Sequence, residues 1–240
     1  MHRPAYLASA CLLLLAMSCV AWGIPGDRGE KPTLRWTEGQ SGCTFSADDD
    51  GKYRYGLWTD DLGIVIAVDA DEVRKAGLRI EPLFGVFVTL RYRGKDSMSV
   101  NPADISLEFV KHYHDVQKAV DPNDFAAKLQ NDADSFAEET QREIRRHPEK
   151  KIEKESILQV HQKDIRETQD FLKSHSLRPA RLDSANPEVT GWVFFSAKSK
   201  WIGDWKKQEQ FVLRIPVADQ VIEFPFALPP SQGDLILRRR

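Results

Sequence analysis

Cysteine is scarce in this chain. Its 240 residues hold three, Cys11, Cys19 and Cys43, and the first two fall in an N-terminal stretch with the features of a removable targeting segment. The one thiol left after removal cannot close an internal disulfide. An exported domain built from this chain therefore relies on its apolar core. A dominant charge is missing too. The 34 Lys and Arg against 36 Asp and Glu leave a formal charge of −2, so no global field draws the chain to nucleic acid. The spacings that announce common chemistries are also absent: the sequence has no Gly-x-Ser-x-Gly, no phosphate-binding loop and no His-Glu-x-x-His. Without them an enzyme reading has no nucleophile–base pair to start from, and no cofactor is expected. Nothing near Cys43 lowers a thiol pKa, and its neighbours Thr44 and Phe45 suit strand packing.

The N-terminus carries what the rest lacks, a long apolar run. His2 and Arg3 precede Ala5 to Val20, centred on Leu12 to Leu15, and Ala21-Trp22-Gly23 follows as a cleavage site. The run is short for a spanning helix and has the flanks of a signal peptide, assigned to residues 1–23. Export to a periplasmic or extracellular location follows. Cys19, just after the apolar core, resembles the acceptor of a lipoprotein signal. Ala16 stands where such signals usually have leucine, and Met17 is bulky. An ordinary signal peptide and a lipid anchor at Cys19 are the two alternatives, and lipidation would turn a soluble protein into a membrane-anchored one.

Residues 24–41 read as a flexible leader, interrupted by Gly26, Gly29 and Pro32. Asp48-Asp49-Asp50-Gly51 is an acidic turn. Three carboxylates and a glycine hint at a calcium loop, but the ligands do not alternate as such loops require, and a solvated hairpin turn fits better. Alternating runs then predict strands at 52–58, 62–68, 86–93 and 105–110. In the third, Val86, Val88, Leu90 and Tyr92 share one face, and Phe87, Thr89, Arg91 and Arg93 share the other, mostly wet one. The period changes at Asp121-Pro122, an N-cap followed by a good first helical residue. Phe125, Leu129, Ala133, Phe136, Thr140 and Ile144 form one helical stripe. Pro148 breaks it, and Lys154, Leu158, His161, Ile165, Thr168 and Leu172 form a second. Both stripes are thin. Two such helices pack on each other as an antiparallel hairpin or lie along the sheets. Three more strands close the chain. In the first, 189–196, Val193 and Phe195 lie on one face and Trp192 and Phe194 on the other, which predicts a central strand covered on both sides.

The Gly191-Trp192-Val193-Phe194-Phe195 strand, the Val212-Leu213-Arg214-Ile215-Pro216 strand and the final apolar strand resemble the closing strands of immunoglobulin-like domains in uncharacterised bacterial envelope proteins. The resemblance covers roughly Lys52–Val110 and Val189–Phe226 and leaves out the helical part. It implies an α+β chain: an immunoglobulin-like antiparallel β-sandwich with a long α-helical hairpin insertion. Its first part is 42–120, the hairpin 121–178, the closing strands 179–228, and a basic tail 229–240. Such domains are usually binding or structural modules, though fold alone does not fix function.

Two sites stand out. His112 and His114, two apart at the end of a predicted strand, would point the same way and could share a metal, with Glu108 as a third ligand. The alternative is a polar strand end that happens to hold two histidines. Trp201 and Trp205 sit among Lys198, Lys200, Lys206 and Lys207. Such a cluster suits contact with an envelope protein, a glycan or a membrane surface; the alternative is that both rings cap the sandwich end. The leading expectation is an exported, non-catalytic envelope module. The competing one is a secreted metal-dependent hydrolase using His112 and His114.

Overall fold

The computed structural model describes residues 31–69, 83–197 and 208–228. The fold is α+β. Its strands are β1 (Thr33–Arg35), β2 (Cys43–Ala47), β3 (Lys52–Trp58), β4 (Leu62–Asp69), β5 (Leu83–Tyr92), β6 (Met98–Val100), β7 (Ser106–Phe109), β8 (Asp115–Lys118), β9 (Ala180–Leu182), β10 (Glu188–Ser196), β11 (Glu209–Val217) and β12 (Gln220–Leu228). Helices α1 (Pro122–Arg146) and α2 (Lys151–His175) lie between β8 and β9. One five-stranded sheet has the order β1-β12-β11-β7-β8 and a second the order β10-β5-β4-β3-β2; β6 and β9 form a separate pair. Among the described residues the strand pairings are antiparallel except β1 with β12. Thr33–Arg35, inside the stretch read as a leader, is therefore built into a sheet.

The alternation decides which side chains meet. In β4 Ile64, Ile66 and Val68 are fully buried, as are Phe84, Val86, Val88 and Leu90 in β5. They share one core with Leu213 and Ile215 of β11 and Ile222 and Phe224 of β12, so the two five-stranded sheets bury their inner faces against each other. Phe84 stacks on Phe211 at 4.9 Å, joining the sheets through a ring contact.

β10 corrects the expectation of a central strand. It is the edge strand of its sheet. Its two faces are divided as the alternation predicts: Val193 and Phe195 enter the inter-sheet core, while Trp192 and Phe194 face the helices. The open edge is closed by the chain entering and leaving the helical pair. Val120 N–H donates to Phe194 O at 2.8 Å, and Leu177 N–H donates to Trp192 O at 2.8 Å. Isolated bridges pair Ala119 with Phe195 and Ser176 with Trp192. An exposed edge is an aggregation hazard, and here the insertion points of the helices cover it. Gly191 makes this possible. A Cβ at that position would lie 2.5 Å from Leu177 N and 2.6 Å from Leu177 Cα, so only glycine lets the exiting backbone approach this closely.

The first helix begins where the capping signal places it. Asp121 accepts hydrogen bonds from Asn123 N–H at 2.7 Å and Asp124 N–H at 3.3 Å, and Pro122 opens the helix. A short turn at Pro148–Lys150 reverses the chain. Each helix of 25 residues is about 37 Å long, but only the proximal part meets the sheet. Phe125, Leu129 and Ala133 of α1 and Ile165 and Leu172 of α2 pack with Leu83 and Phe194. Farther out the helices hold each other through Phe136 against His161 at 4.6 Å and the Lys154–Glu143 ion pair. No helix among the described residues is long and apolar enough to cross a membrane.

Candidate functional site

The outer face of the β10-β5-β4-β3-β2 sheet holds a groove that follows from register and side-chain size. One cross-strand row reads Arg54, Ala67, Phe87, Trp192, each opposite the next. The adjacent row reads Gly56, Val65, Thr89, Thr190. Residues in register on one face touch across the strands. In the first row a small alanine stands between an arginine and two aromatics, so the surface dips at Ala67 and rises at both ends. The result is a concavity of about 200 Å³, with Val65, Ala67 and Phe87 as floor, Trp192 as one wall and Lys52 and Arg54 as the other.

Each wall is fixed. Trp192 is half-buried and meets Phe87 edge-on, with ring centroids 5.4 Å apart at 68°. It stacks on Phe194 at 6.2 Å and 16°, and Phe171 of α2 approaches its ring at 6.4 Å. The helical pair thus holds the indole upright from outside the sheet. On the other side the acidic turn clamps the arginine. Arg54 donates from Nη2 to Asp50 Oδ2 at 2.7 Å and from Nη1 to Asp48. Lys52 Nζ lies 3.7 Å from Asp50 Oδ2. The hydrogen bonds from Arg54 are the largest cause that lowers the Asp50 carboxyl, to about 2, so Asp50 stays ionised in all but strong acid. The two cations that line this side, Lys52 and Arg54, each lie beside carboxylates of the turn, so the rim is rich in hydrogen-bonding groups whose charges are already paired. Between the walls Thr89 and Thr190 share a hydroxyl hydrogen bond at 3.0 Å. The turn at Asp48–Gly51, with Gly51 at φ +77, is the hairpin expected there.

The histidine pair is placed differently from the expectation. His112 and His114 do not lie on a strand; they sit in the turn after β7, where Tyr113 and His114 adopt φ of 60° and 56°. The left-handed backbone sends the two rings apart. His114 Nδ1 lies 2.5 Å from Glu108 Oε1, while His112 Nε2 faces Glu209 Oε2 at 3.2 Å in ion-pair rather than hydrogen-bond alignment. Among the described residues no group of three or more His, Cys, Asp or Glu side chains is placed to hold a metal ion. Glu108 instead opens a charged row across the outer face of the other sheet. It accepts from Arg214, whose Nε donates to Glu223 Oε1 at 2.8 Å, and Arg35 donates to Glu223 Oε2 at 2.9 Å. Burial raises the Glu108 carboxyl, but the hydrogen bonds from His114 and Arg214 and the charge beside them win, so it is lowered overall.

Trp201, Trp205, Lys200, Lys206 and Lys207 lie outside the described residues, as does Cys19. Cys43 is half-buried on β2 against the inter-sheet core. No family model, no curated protein and no solved structure matches the chain.

The groove escaped the sequence reading because register is a long-range property. Phe87 and Thr89 were legible as an outward face, and Trp192 as the face opposite Val193. Nothing local says that Ala67 stands between Arg54 and Phe87. One short-range cue does exist: Asp50 and Arg54, on either side of Gly51, are spaced to meet across a tight hairpin.

Proposed function

We propose that the chain is an exported, non-catalytic envelope module: an immunoglobulin-like β-sandwich carrying a helical hairpin, which binds an envelope protein, a glycan or a membrane surface. The observation that carries this reading is the preformed groove between Trp192 and the Arg54 clamp. Binding sites are typically concave and mostly apolar, with a few fixed polar groups, and this one combines an apolar floor with an aromatic wall and a polar rim. Its groups include no nucleophile paired with a base, so its chemistry is that of contact. The basic, apolar and small-residue order of residues 1–23 supports export, with Cys19 as the site of a lipid if the protein is anchored. The Trp201–Trp205 segment remains a second contact candidate on its composition. The metal-hydrolase reading draws no support from His112 and His114, which separate carboxylates hold apart.

The test is cosedimentation of the purified exported protein with envelope material of its host. The comparison is Val65→Trp, which fills the groove from its outward, half-buried floor position. Attachment lost by at least tenfold with an unchanged circular dichroism spectrum is the expected result. Attachment equal to wild type removes the groove from the function.

A further inference from the structure

We infer that the groove takes a single uncharged pyranose ring of a glycan. This rests on the binding-module reading and names its ligand. Three features of the site select that chemistry.

The first is size. A cavity of about 150 Å³ takes up benzene, a six-membered ring without substituents, and the groove, open on one side, offers about 200 Å³ to a ring whose hydroxyls can project outward. That is room for one ring and little more, whereas drug-sized ligands need roughly 300 Å³ or above. The second is the pairing of an apolar platform with a polar edge. A pyranose carries axial C–H bonds on its faces and hydroxyls around its rim. The half-buried Trp192 ring, stacked on Phe194 at 6.2 Å and in edge contact with Phe87 at 5.4 Å, lines the groove with aromatic surface suited to C–H bonds. Thr89, Lys52 and Arg54 stand at the perimeter, where the hydroxyls would lie. The third is charge. Arg54 is already committed to Asp48 and Asp50, and Lys52 sits beside Asp50. An anionic ring would have to compete with these carboxylates. A neutral diol does not, since it can accept from Lys52 and Arg54 at the groove edge without displacing the carboxylates behind them. The clamp also holds the guanidinium in one place before the ligand arrives, which lowers the entropy cost of binding.

The experiment is a nitrogen-15 NMR titration of the full exported protein, following the Trp192 indole N–H, assigned with Trp192→Phe. The probes are cellotriose, maltotriose and an N-acetylglucosamine trimer, with a hexuronate trimer and benzoate for comparison. The expected result is saturable movement of the Trp192 signal by at least one neutral trimer. Its Kd should be on the order of 1 mM, as suits one ring with few contacts. It should change less than about twofold between about 50 and about 500 mM NaCl, because no net charge is involved, and the movement should be lost in Val65→Trp. Trp192 movement with benzoate alone would overturn the inference in favour of an aromatic-ring pocket. Movement with the hexuronate alone, weakened by salt, would overturn the neutral-rim argument. If envelope attachment needs an open groove and none of these sugars competes, the pyranose assignment falls while the module reading stands. If attachment ignores the groove, both fall.

Discussion

Gly191→Ala perturbs the backbone contact by which the chain leaving the helical pair closes on β10. The added methyl would lie 2.5 Å from Leu177 N and 2.6 Å from Leu177 Cα. Carbon contacts are comfortable at about 3.5–4.0 Å, so the exiting chain must retreat by about 1 Å. It meets backbone, which has no rotamer to swing away. Overpacking of this kind costs about 1–3 kcal/mol. The retreat also stretches the 2.8 Å bond from Leu177 N–H to Trp192 O, a further loss of about 0.5–1.5 kcal/mol. Together the substitution should destabilise the domain by about 2–4 kcal/mol, or lower Tm by roughly 4–16 °C for a chain of this size. Urea unfolding gives the free energy, and hydrogen exchange at the Leu177 amide shows where it is lost. A double-mutant cycle isolates the contact: with 121–178 replaced by a glycine-serine linker, Leu177 is gone and the same alanine should cost under about 0.5 kcal/mol. A loss below about 0.5 kcal/mol in the intact protein, with Leu177 still protected from exchange, would refute the reasoning.

Other expected outcomes follow from the two sheet faces. Trp192→Ala should cost about 1–3 kcal/mol by urea unfolding, since the ring is half-buried, whereas Phe195→Ala, with no exposed surface, should cost about 3–5 kcal/mol. Arg214→Met removes the partner of two carboxylates that are 10% and 13% exposed and should cost about 2 kcal/mol near neutral pH, less than a fully buried pair because Arg214 itself is 30% exposed. The folded Glu108 carboxyl is held below its ordinary 4.5, so its contribution is present above that pH and is lost as pH falls through the lowered folded value. Urea midpoints measured across that range should therefore fall with acid in the wild type, and the gap between wild type and Arg214→Met should narrow. Asp50 should titrate near 2 by carbon-13 NMR and move back toward its ordinary 3.8 in Arg54→Met; an unchanged midpoint would mean that the clamp is not formed in solution.

Much of this architecture is legible in local pattern. Period-two alternation assigns the inward Val86, Val88 and Leu90 and the outward Phe87 and Thr89, because successive side chains in a strand must oppose one another. Asp121-Pro122 marks the helix start because a carboxylate and a missing N–H both suit that position. Where the reading departs from the structure, the deciding contact is distant in sequence. β10 is apolar on both faces, which a central strand and a helix-covered edge strand share; only its pairing to 119–120 and 176–177 separates them. The histidine pair misleads because strand alternation was carried past Phe109, where Tyr113 and His114 turn the chain through left-handed backbone. Val212 and Glu108 are outward positions that are nonetheless buried, and alternation alone does not tell a buried outer face from a wet one.

The most direct test of the binding face is site-specific photocrosslinking in the native host. A benzophenone side chain is placed at Thr89, in the groove, and separately at Ser106, on the outer face of the opposite sheet. Benzophenone inserts into C–H bonds, so protein, lipid and glycan partners are all captured. Envelope adducts from position 89 that vanish with Val65→Trp, and none from position 106, are the predicted result. Adducts from position 106 alone, or from 89 with the groove filled, would contradict it.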